Sequence, residues 1–223
     1  MTDAISALGP LSEYIPHTNL TKVQEKVIPS LINSQQNVIV AAPTGSGKTV
    51  LLEVAMLRLF RSRLLCLDGG SAPDSTTLGT RQKAVYICPI KALANEKYEL
   101  WKEKFPRLAV IIETGDQERE KLDRDSLTSV SEADIIITTP ERWDSITRRW
   151  KEKTVMEVVH SVGLLLLDEI HTVHEERGAA LEAVVSRMKA IGSAAQSTEI
   201  PALASAGARF VAISGTLPNI RDF

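Results

Sequence analysis

The segment Ala42–Thr49, which reads APTGSGKT, is the strongest chemical pattern in the sequence. It matches the phosphate-binding pattern of Gly, four residues and Gly-Lys-Ser/Thr, except that Ala42 stands in place of the first Gly. The glycines let successive backbone N–H groups turn toward one point, Lys48 can reach the β- and γ-phosphates of a nucleotide, and the Thr49 hydroxyl can bind Mg²⁺. An apolar run precedes the segment and a helical pattern follows it. This context favours a phosphate site over a flexible Gly/Ser turn.

A second candidate site is the segment Leu164–His171, which reads LLLLDEIH. Two carboxylates directly after a buried strand are costly to place unless a cation lies beside them. Asp168 would hold Mg²⁺, directly or through water, and Glu169 would orient and deprotonate a water that attacks the γ-phosphate. Alone, such a pair is more often a helix cap or a solvated turn, but together with the phosphate pattern it favours a catalytic site. His171 by itself is typical of a polar residue in a turn.

Further polar strings follow apolar runs elsewhere in the sequence: PIKALANEK, ETGD, TPERWD and GTLPN. In a parallel sheet the carboxyl ends of the strands share one edge, which is where open α/β sheets bind ligands. Donors suited to phosphate oxygens occur in these strings, and such contacts position a nucleic-acid backbone without reading its sequence. These donors are Lys91, Thr114, Thr139 and Arg142. The lysines Lys97, Lys102 and Lys104 alternate with glutamates and are interpreted as a solvated helix face.

The elements that must position these residues are six short apolar runs separated by helical patterns. Each run is apolar at consecutive positions, which is typical of strands covered on both faces. The predicted strands are Asn37–Ala42, Ala84–Cys88, Leu108–Ile112, Asp134–Thr139, Val162–Asp168 and Arg209–Ser214. The predicted helices are Lys22–Ile32, Lys48–Arg61, Lys91–Phe105, Glu141–Trp150 and Gly178–Ile191. The alternation predicts a doubly wound, mostly parallel α/β sheet flanked by helices, with loops at Asp68–Gln82 and Ser193–Gly207.

Composition limits the function classes further. The 223 residues carry 26 Lys+Arg against 28 Asp+Glu, a net charge of −2, so nucleic-acid binding must come from local placement of charge rather than from a basic coat. The two cysteines cannot form a disulfide framework and are expected to be reduced, in an intracellular protein. No apolar stretch approaches the roughly 18 residues of a membrane span. The start of the chain, with Asp3 and no basic residue, does not predict a signal peptide.

With these residues identified, the chain resembles superfamily 2 helicases of the DExH-box type. APTGSGKT resembles motif I of that family, PIKALANEK motif Ia, TTPERWD motif Ib, DEIH motif II and SGTLPN motif III. The resemblance implies a RecA-like P-loop NTPase lobe over residues 14–223, with residues 1–13 as an N-terminal extension. Gln24 matches the glutamine that reads adenine in such enzymes. The ATP-binding set implied is Gln24, Pro43, Thr44, Gly45, Ser46, Gly47, Lys48 and Thr49, with Thr49 and Asp168 as Mg²⁺ ligands.

The resemblance also implies roles for other residues. Glu169 would be the catalytic base, acting with Lys48 and Asp168, and His171 would link ATP to motif III. The hydroxyls of Ser214 and Thr216 would couple ATP to nucleic acid, although Gly215 replaces the usual Ala between them. The implied nucleic-acid-binding set is Pro89, Lys91, Thr114, Gly115, Thr139, Pro140 and Arg142.

Within the superfamily, the strings PIKALANEKYELWKEKF and PERWDSITRRW resemble the superkiller-like group, and meiotic crossover DNA helicases in particular. This implies a nuclear 3′-to-5′ helicase of homologous recombination that acts on single-stranded or branched DNA, without a membrane partner. An RNA helicase of the same group, in splicing or RNA decay, and a non-catalytic nucleotide-gated interaction module are the alternatives.

The family's Gln-x-x-Gly-Arg-x-Gly-Arg string does not occur in these 223 residues. In the family that string lies in the second motor lobe and supplies arginines to the γ-phosphate. Arginines of this kind accelerate hydrolysis by several orders of magnitude. We therefore expect a first motor lobe that hydrolyses ATP very slowly by itself, with the second lobe as its partner in the full-length protein.

Overall fold

The computed structural model describes residues 6–15, 19–65, 82–115, 124–174, 178–196 and 207–215. Its strands are β1 Val38–Ala41, β2 Lys83–Ile87, β3 Val110–Glu113, β4 Ile135–Thr138, β5 Val162–Leu167 and β6 Arg209–Ser214. Its α-helices are α1 Lys22–Asn33, α2 Lys48–Leu59, α3 Arg61–Leu65, α4 Lys91–Lys104, α5 Arg124–Glu132, α6 Pro140–Arg148, α7 Lys153–His160 and α8 Gly178–Gln196. Two 3₁₀ helices span Gly9–Tyr14 and Ile170–His174. In this part of the chain no helix is both long and apolar enough to cross a membrane.

The strands form one sheet in the order β1-β6-β5-β2-β4-β3, and every pair is parallel. β1 and β3 lie at the two edges, while β6, the last strand in the sequence, lies between β1 and β5. Helices cover both faces of the sheet, as the strand–helix alternation predicts. The predicted fold class, a doubly wound parallel α/β sheet, is confirmed.

Burial on both faces of the sheet explains the consecutive apolar residues of the strands. In β2, Ala84 and Tyr86 belong to the cluster of buried side chains on one face, and Val85 and Ile87 belong to the cluster on the other. Successive side chains of a strand point to opposite faces, so a strand inside two cores needs apolar residues at every position. All five residues of β2 are buried.

The helices differ from the prediction at several points. The predicted helix Lys48–Arg61 ends at Leu59, and a short separate helix, α3, follows. Neither α5 nor α7 was predicted. The sequence of α7, KTVMEVVH, is rich in valine, a residue with strand propensity, but its buried Val155, Val158 and Val159 follow a helical spacing and pack on the sheet.

Two of the predicted loops have different outcomes. The predicted link Ser193–Gly207 is wrong in its first residues, because α8 continues to Gln196. This continuation is alanine-rich, and alanine has the highest helix propensity. Of the predicted loop Asp68–Gln82, only Gln82 is among the described residues. In the predicted N-terminal extension, Leu8 and Leu11 are buried in the core.

Candidate nucleotide and nucleic-acid interface

The predicted site residues lie along one edge of the sheet, where the strands end. The segment Ala42–Thr49, called the P-loop below, follows β1, and Ser214 ends β6. Asp168 follows β5. Neighbouring strands are about 4.8 Å apart, so the P-loop and Asp168 lie two strand positions, roughly 10 Å, from each other. The backbone N–H of Ala42 donates to the Ser214 carbonyl at 3.2 Å, which ties the start of the P-loop to β6.

The P-loop is shaped by positive-φ glycines and held by α1. Gly45 and Gly47 have φ of 80° and 81°, which L side chains rarely adopt. The Gln24 amide Nε2 donates to the Gly47 carbonyl at 3.0 Å, and the Thr21 hydroxyl donates to the Ser46 carbonyl at 2.9 Å. Thr21 and Gln24 also form a capping box at the start of α1. The Gln24 side chain therefore holds the P-loop backbone at Gly47. Its predicted contact with adenine stays a prediction.

The P-loop side chains fit a triphosphate. The Lys48 ammonium, on a residue only 8 % exposed, donates to the carbonyls of Ala42 at 2.7 Å and Pro43 at 3.0 Å. An ammonium has three N–H donors, so one is left for a phosphate oxygen. Among the described residues, the Ser46 hydroxyl is buried without a hydrogen-bond partner. A buried hydroxyl without a partner is costly, and a phosphate oxygen would satisfy it.

Asp168 and Glu169 form a rigid acidic pair. Asp168 is 7 % exposed, and burial raises the pKa of its carboxyl. Its Oδ2 accepts a hydrogen bond of 2.6 Å from the Tyr86 hydroxyl, and its Oδ1 accepts one of 2.9 Å from the Glu169 backbone N–H. Burial and the nearby Asp168 raise the pKa of Tyr86, so its hydroxyl stays a donor. A divalent cation would relieve the cost of a buried carboxylate, so Asp168 fits Mg²⁺. Thr49, the other predicted ligand, lies in the first turn of α2.

Glu169 has a strained backbone, with φ of 49°. It is the one non-glycine residue with positive φ in the part of the chain that the structure describes. Strain of this kind costs about 1–3 kcal/mol and occurs mostly at functional sites. The conformation belongs to the residue that the sequence predicts as the catalytic base.

His171 lies between the acidic pair and β6. Its Nδ1 is 3.3 Å from the Ser214 hydroxyl oxygen and 3.2 Å from Glu169 Oε2. One ring nitrogen thus lies within hydrogen-bond reach of both groups, and the predicted link between ATP and Ser214 stays a prediction. Thr216, the second predicted coupling residue, lies outside the described residues.

The predicted nucleic-acid residues follow β2, β3 and β4, on the other half of the same edge. Lys91 is exposed at the start of α4, Thr114 and Gly115 follow β3, and Thr139 and Pro140 begin α6. Helices α4 and α6 begin at this edge, and neither has a hydrogen bond from its N-cap side chain. Helix N-termini can bind phosphate.

Arg142, which the sequence predicts as a donor to phosphate oxygens, is buried and paired with a carboxylate. It is 6 % exposed, and its guanidinium contacts Glu113 Oε1 through Nε at 2.7 Å and Nη2 at 2.5 Å. A Cβ on Gly115, whose φ is 62°, would lie 3.3 Å from Arg142 Cδ. The Arg142–Glu113 ion pair therefore joins the end of β3 to the start of α6. A phosphate contact by Arg142 stays a prediction.

The interpretation of α4 as having a solvated charged face is wrong for two of its three lysines. Lys97 is only 7 % exposed and pairs with Glu96 at 3.0 Å. Lys104 contacts Glu53 Oε2 at 2.5 Å, and Glu53, on α2, also accepts a hydrogen bond of 3.1 Å from the Trp101 indole. Lys104 thus joins α4 to α2, a contact that helical spacing alone could not indicate.

Sequence reasoning missed two residues of the site, Thr21 and Tyr86. The pattern Thr-x-x-Gln at the start of α1 is a capping-box signal that could have pointed to Thr21. Tyr86 is the one residue with a polar side-chain tip in the apolar stretch Ala84–Cys88. A polar tip in a strand buried on both faces needs a partner, and this could have singled it out.

A family model for DEAD/DEAH box helicases matches residues 21–223. The chain belongs to this family. The domain is thus of the P-loop NTPase type, and the helicase family that the motifs predict is confirmed.

Similar proteins include a probable ATP-dependent DNA helicase, HFM1, of Xenopus tropicalis, 42% identical over 203 residues. They also include the DExH-box ATP-dependent RNA helicase DExH12 of Arabidopsis thaliana, 35% identical over 212 residues. The matches cover 90% and 94% of this chain, but only 14% and 8% of those proteins. The chain thus spans a small part of the length of its relatives.

Among solved structures, the DUF1998 helicase MrfA bound to DNA aligns with a TM-score of 0.66 at 16% identity. The alignment covers 99% of this chain and 27% of that one. At this identity the likeness concerns the fold alone, and it agrees with a RecA-like lobe.

Proposed function

We propose that this chain is the ATP-binding motor lobe of an ATP-dependent DNA helicase. The observation that carries the proposal is the arrangement of three neighbouring strands, β1, β6 and β5. Their ends hold the P-loop, Ser214 and the Asp168–Glu169 pair, and His171 lies within reach of the last two groups. This arrangement can bind a nucleotide and report its state to β6.

The chemistry follows from the positions of the side chains. Lys48 would neutralise charge on the β- and γ-phosphates, and Glu169, oriented by its strained backbone and by His171, would align and deprotonate the attacking water. Mg²⁺, held by Thr49 and Asp168, would neutralise phosphate charge when bound. His171 would carry the change at the γ-phosphate to Ser214 through the shared ring nitrogen.

DNA is the proposed substrate of the complete protein, and movement in the 3′-to-5′ direction is proposed from the motif resemblance. The DNA helicase HFM1 is more similar to this chain than the RNA helicase DExH12, which supports DNA. Unwinding would need a second motor lobe, and the chain would act in the nucleus in homologous recombination. The 223 residues alone are expected to bind ATP and to hydrolyse it slowly, because the arginine string of the second lobe does not occur in them.

The nucleotide site can be tested by ligand-dependent unfolding. At a nucleotide concentration of about 100 times Kd, Mg²⁺–ATPγS should raise the free energy of unfolding of the chain by about 2.7 kcal/mol. Lys48→Ala should abolish this increase, whereas Lys189→Ala, which removes an exposed lysine of α8, should keep it. Equal stabilisation of wild type and Lys48→Ala would contradict the site. No stabilisation of the wild type would contradict nucleotide binding by the chain.

The nucleic-acid substrate can be tested by competition. Single-stranded DNA and RNA of one sequence would compete for the protein that contains this chain together with a second lobe. Tighter binding of DNA, with ATP-dependent unwinding of a duplex that carries a 3′ tail, is expected. Preference for RNA would instead support an RNA helicase of the same group. The experiment is needed because the predicted backbone contacts discriminate poorly between DNA and RNA.

A further inference from the structure

Tyr86 connects the middle of the sheet to the acidic pair. The residue is 0 % exposed in β2, and its ring packs edge-on against Trp101 with 4.9 Å between centroids and 76° between planes. Its hydroxyl donates to Asp168 Oδ2 at 2.6 Å. A neutral donor this close to a carboxylate forms a strong, charge-assisted hydrogen bond.

The register of the sheet places these two side chains together. Tyr86 pairs with Leu166 of β5, and Asp168 lies two residues after Leu166, on the same face. The Asp168 backbone N–H donates to the Ile87 carbonyl at 2.9 Å, so the ladder between β2 and β5 continues to the acidic residue. The contact is therefore fixed by strand pairing as well as by the side chains.

Both oxygens of the Asp168 carboxylate are engaged, yet both can still bind a cation. Oδ2 accepts from Tyr86 and Oδ1 accepts from the Glu169 backbone. A carboxylate has about four lone-pair positions, so each oxygen keeps one for a metal ion or its water. The Tyr86 hydroxyl and the Glu169 backbone N–H, one on each oxygen, thus fix the orientation of the carboxylate and leave it able to coordinate a metal ion.

We propose that Tyr86 is a positioning residue for Mg²⁺, whose hydroxyl holds the Asp168 carboxylate in the orientation that the ion requires. The inference rests on the nucleotide site proposed above. Partners that orient metal ligands from behind typically account for about 10- to 100-fold in metal affinity. Pro89 and Lys91, two of the predicted nucleic-acid residues, follow β2 directly, so the strand that carries this contact leads into them.

The test is a Mg²⁺ titration of nucleotide binding by the 223-residue chain, with the fluorescent nucleotide mant-ADP as the probe. Tyr86→Phe keeps the ring that packs on Trp101 and removes only the hydroxyl. We expect this variant to need about tenfold more Mg²⁺ for half-maximal binding, with binding in EDTA unchanged. With Mn²⁺ bound in place of Mg²⁺, the electron paramagnetic resonance spectrum of the Tyr86→Phe variant should differ from that of the wild type.

Tyr98→Phe is the matched control, because it removes a tyrosine hydroxyl from α4 and should leave the Mg²⁺ dependence unchanged. A Tyr86→Phe variant that loses stability but keeps the wild-type Mg²⁺ dependence would overturn the inference and leave the nucleotide site intact. Wild-type binding without any Mg²⁺ dependence would overturn the proposed Mg²⁺ site, and this inference with it. If Tyr86→Phe does not fold, the ¹³Cζ resonance of Tyr86 in the wild type should shift when Mg²⁺ is added to the ADP complex. An unchanged resonance would overturn the inference.

Discussion

Gly47 illustrates how much one residue of the P-loop determines. Its φ is 81°, and a Cβ built on it would lie 2.2 Å from Gln24 Nε2, so a side chain here must displace the glutamine as well as strain the backbone. Gly45 has nearly the same φ, 80°, but a Cβ there would meet nothing within 4 Å. A substitution at Gly45 therefore tests backbone strain alone, whereas one at Gly47 tests backbone strain together with a steric conflict.

We expect Gly45→Ala to lower the free energy of unfolding by about 1–2 kcal/mol through backbone strain alone. Gly47→Ala should cost about 1 kcal/mol more, because it also breaks the hydrogen bond between Gln24 and the Gly47 carbonyl. Urea denaturation monitored by circular dichroism measures both. Equal losses for the two variants would show that the contact with Gln24 contributes no stability.

At the scale of single residues, local spacing predicts that much of the proposed nucleotide site lies along one edge of the sheet. Lys48, Thr49, Asp168 and Glu169 are close in sequence to glycines or to a buried strand, and that local context predicts their positions along the edge. The pairing of Arg142 with Glu113 could not be predicted, because the two residues belong to different strand–helix units. Only the neighbouring positions of β3 and β4 bring them together.

At the scale of elements, Asp144 joins α6 to α8. Its side chain is 8 % exposed, and it accepts hydrogen bonds from Arg187 of α8 at 2.7 Å and from Arg148 at 2.7 Å. Burial opposes ionisation of Asp144, but the bonds from the two arginines outweigh it and hold its pKa below the usual range. Arg187 also donates to the Thr147 hydroxyl at 2.8 Å.

Arg187→Met should therefore lower the free energy of unfolding by about 1.5–3 kcal/mol, the range for hydrogen bonds to charged groups. The control is Arg149→Met, which removes the exposed pair with Glu152 and should cost markedly less, because exposed ion pairs contribute little to stability. Urea denaturation at pH 7 compares the two variants. Similar costs would mean that the link between α6 and α8 contributes no more than a surface ion pair.

The difference between wild type and Arg187→Met should also depend on pH. Because the folded-state pKa of Asp144 is lowered, its contribution is complete above the unfolded value of about 3.9 and is lost as the pH falls through the folded value. The two unfolding free energies should thus converge as the pH is lowered from about 5 toward 3. A constant difference over this range would exclude Asp144 ionisation as its source.

The predicted strand ends agree with the structure to within about two residues. A strand buried on both faces needs apolar residues at consecutive positions, and such runs are visible in the sequence. The helices were predicted less well. Two of them, α5 and α7, are short helices of nine and eight residues. The valines of α7 have strand propensity although their spacing is helical, and packing on the sheet decides their conformation. Tertiary contacts override weak local propensity in such segments.

At the scale of the whole molecule, the sheet edge divides into two halves. β1, β6 and β5 carry the nucleotide residues, and β2, β4 and β3 carry the predicted nucleic-acid residues. The net charge of −2 means that attraction for a nucleic acid must come from local placement of charge, and the predicted residues lie on this second half. Sequence order did not predict the division, because neighbours in the sheet are not neighbours in the chain.

Lys91, exposed on the second half of the edge, tests this division. Lys91→Ala should weaken binding of single-stranded DNA about equally for all sequences and reduce the magnitude of the salt dependence by about one ion. Arg61→Ala is the matched control, since Arg61 is exposed in α3, beyond the end of α2 that lies away from this edge. Fluorescence anisotropy over a series of salt concentrations measures both. An equal effect of the two substitutions would mean that binding follows general charge and is not localised at the edge.

The position of β6 has a consequence for biosynthesis. Val38, near the start of the chain, pairs with Val211, and β5 reaches β1 only through β6. During translation, the sheet half formed by β1, β6 and β5 cannot close until Arg209–Ser214 has left the ribosome, so β1 and its loop wait until all residues between them and β6 have been made. Nascent chains arrested before Arg209 should be cleaved readily by protease near β1, and chains extended far enough beyond Ser214 to free β6 from the exit tunnel should resist.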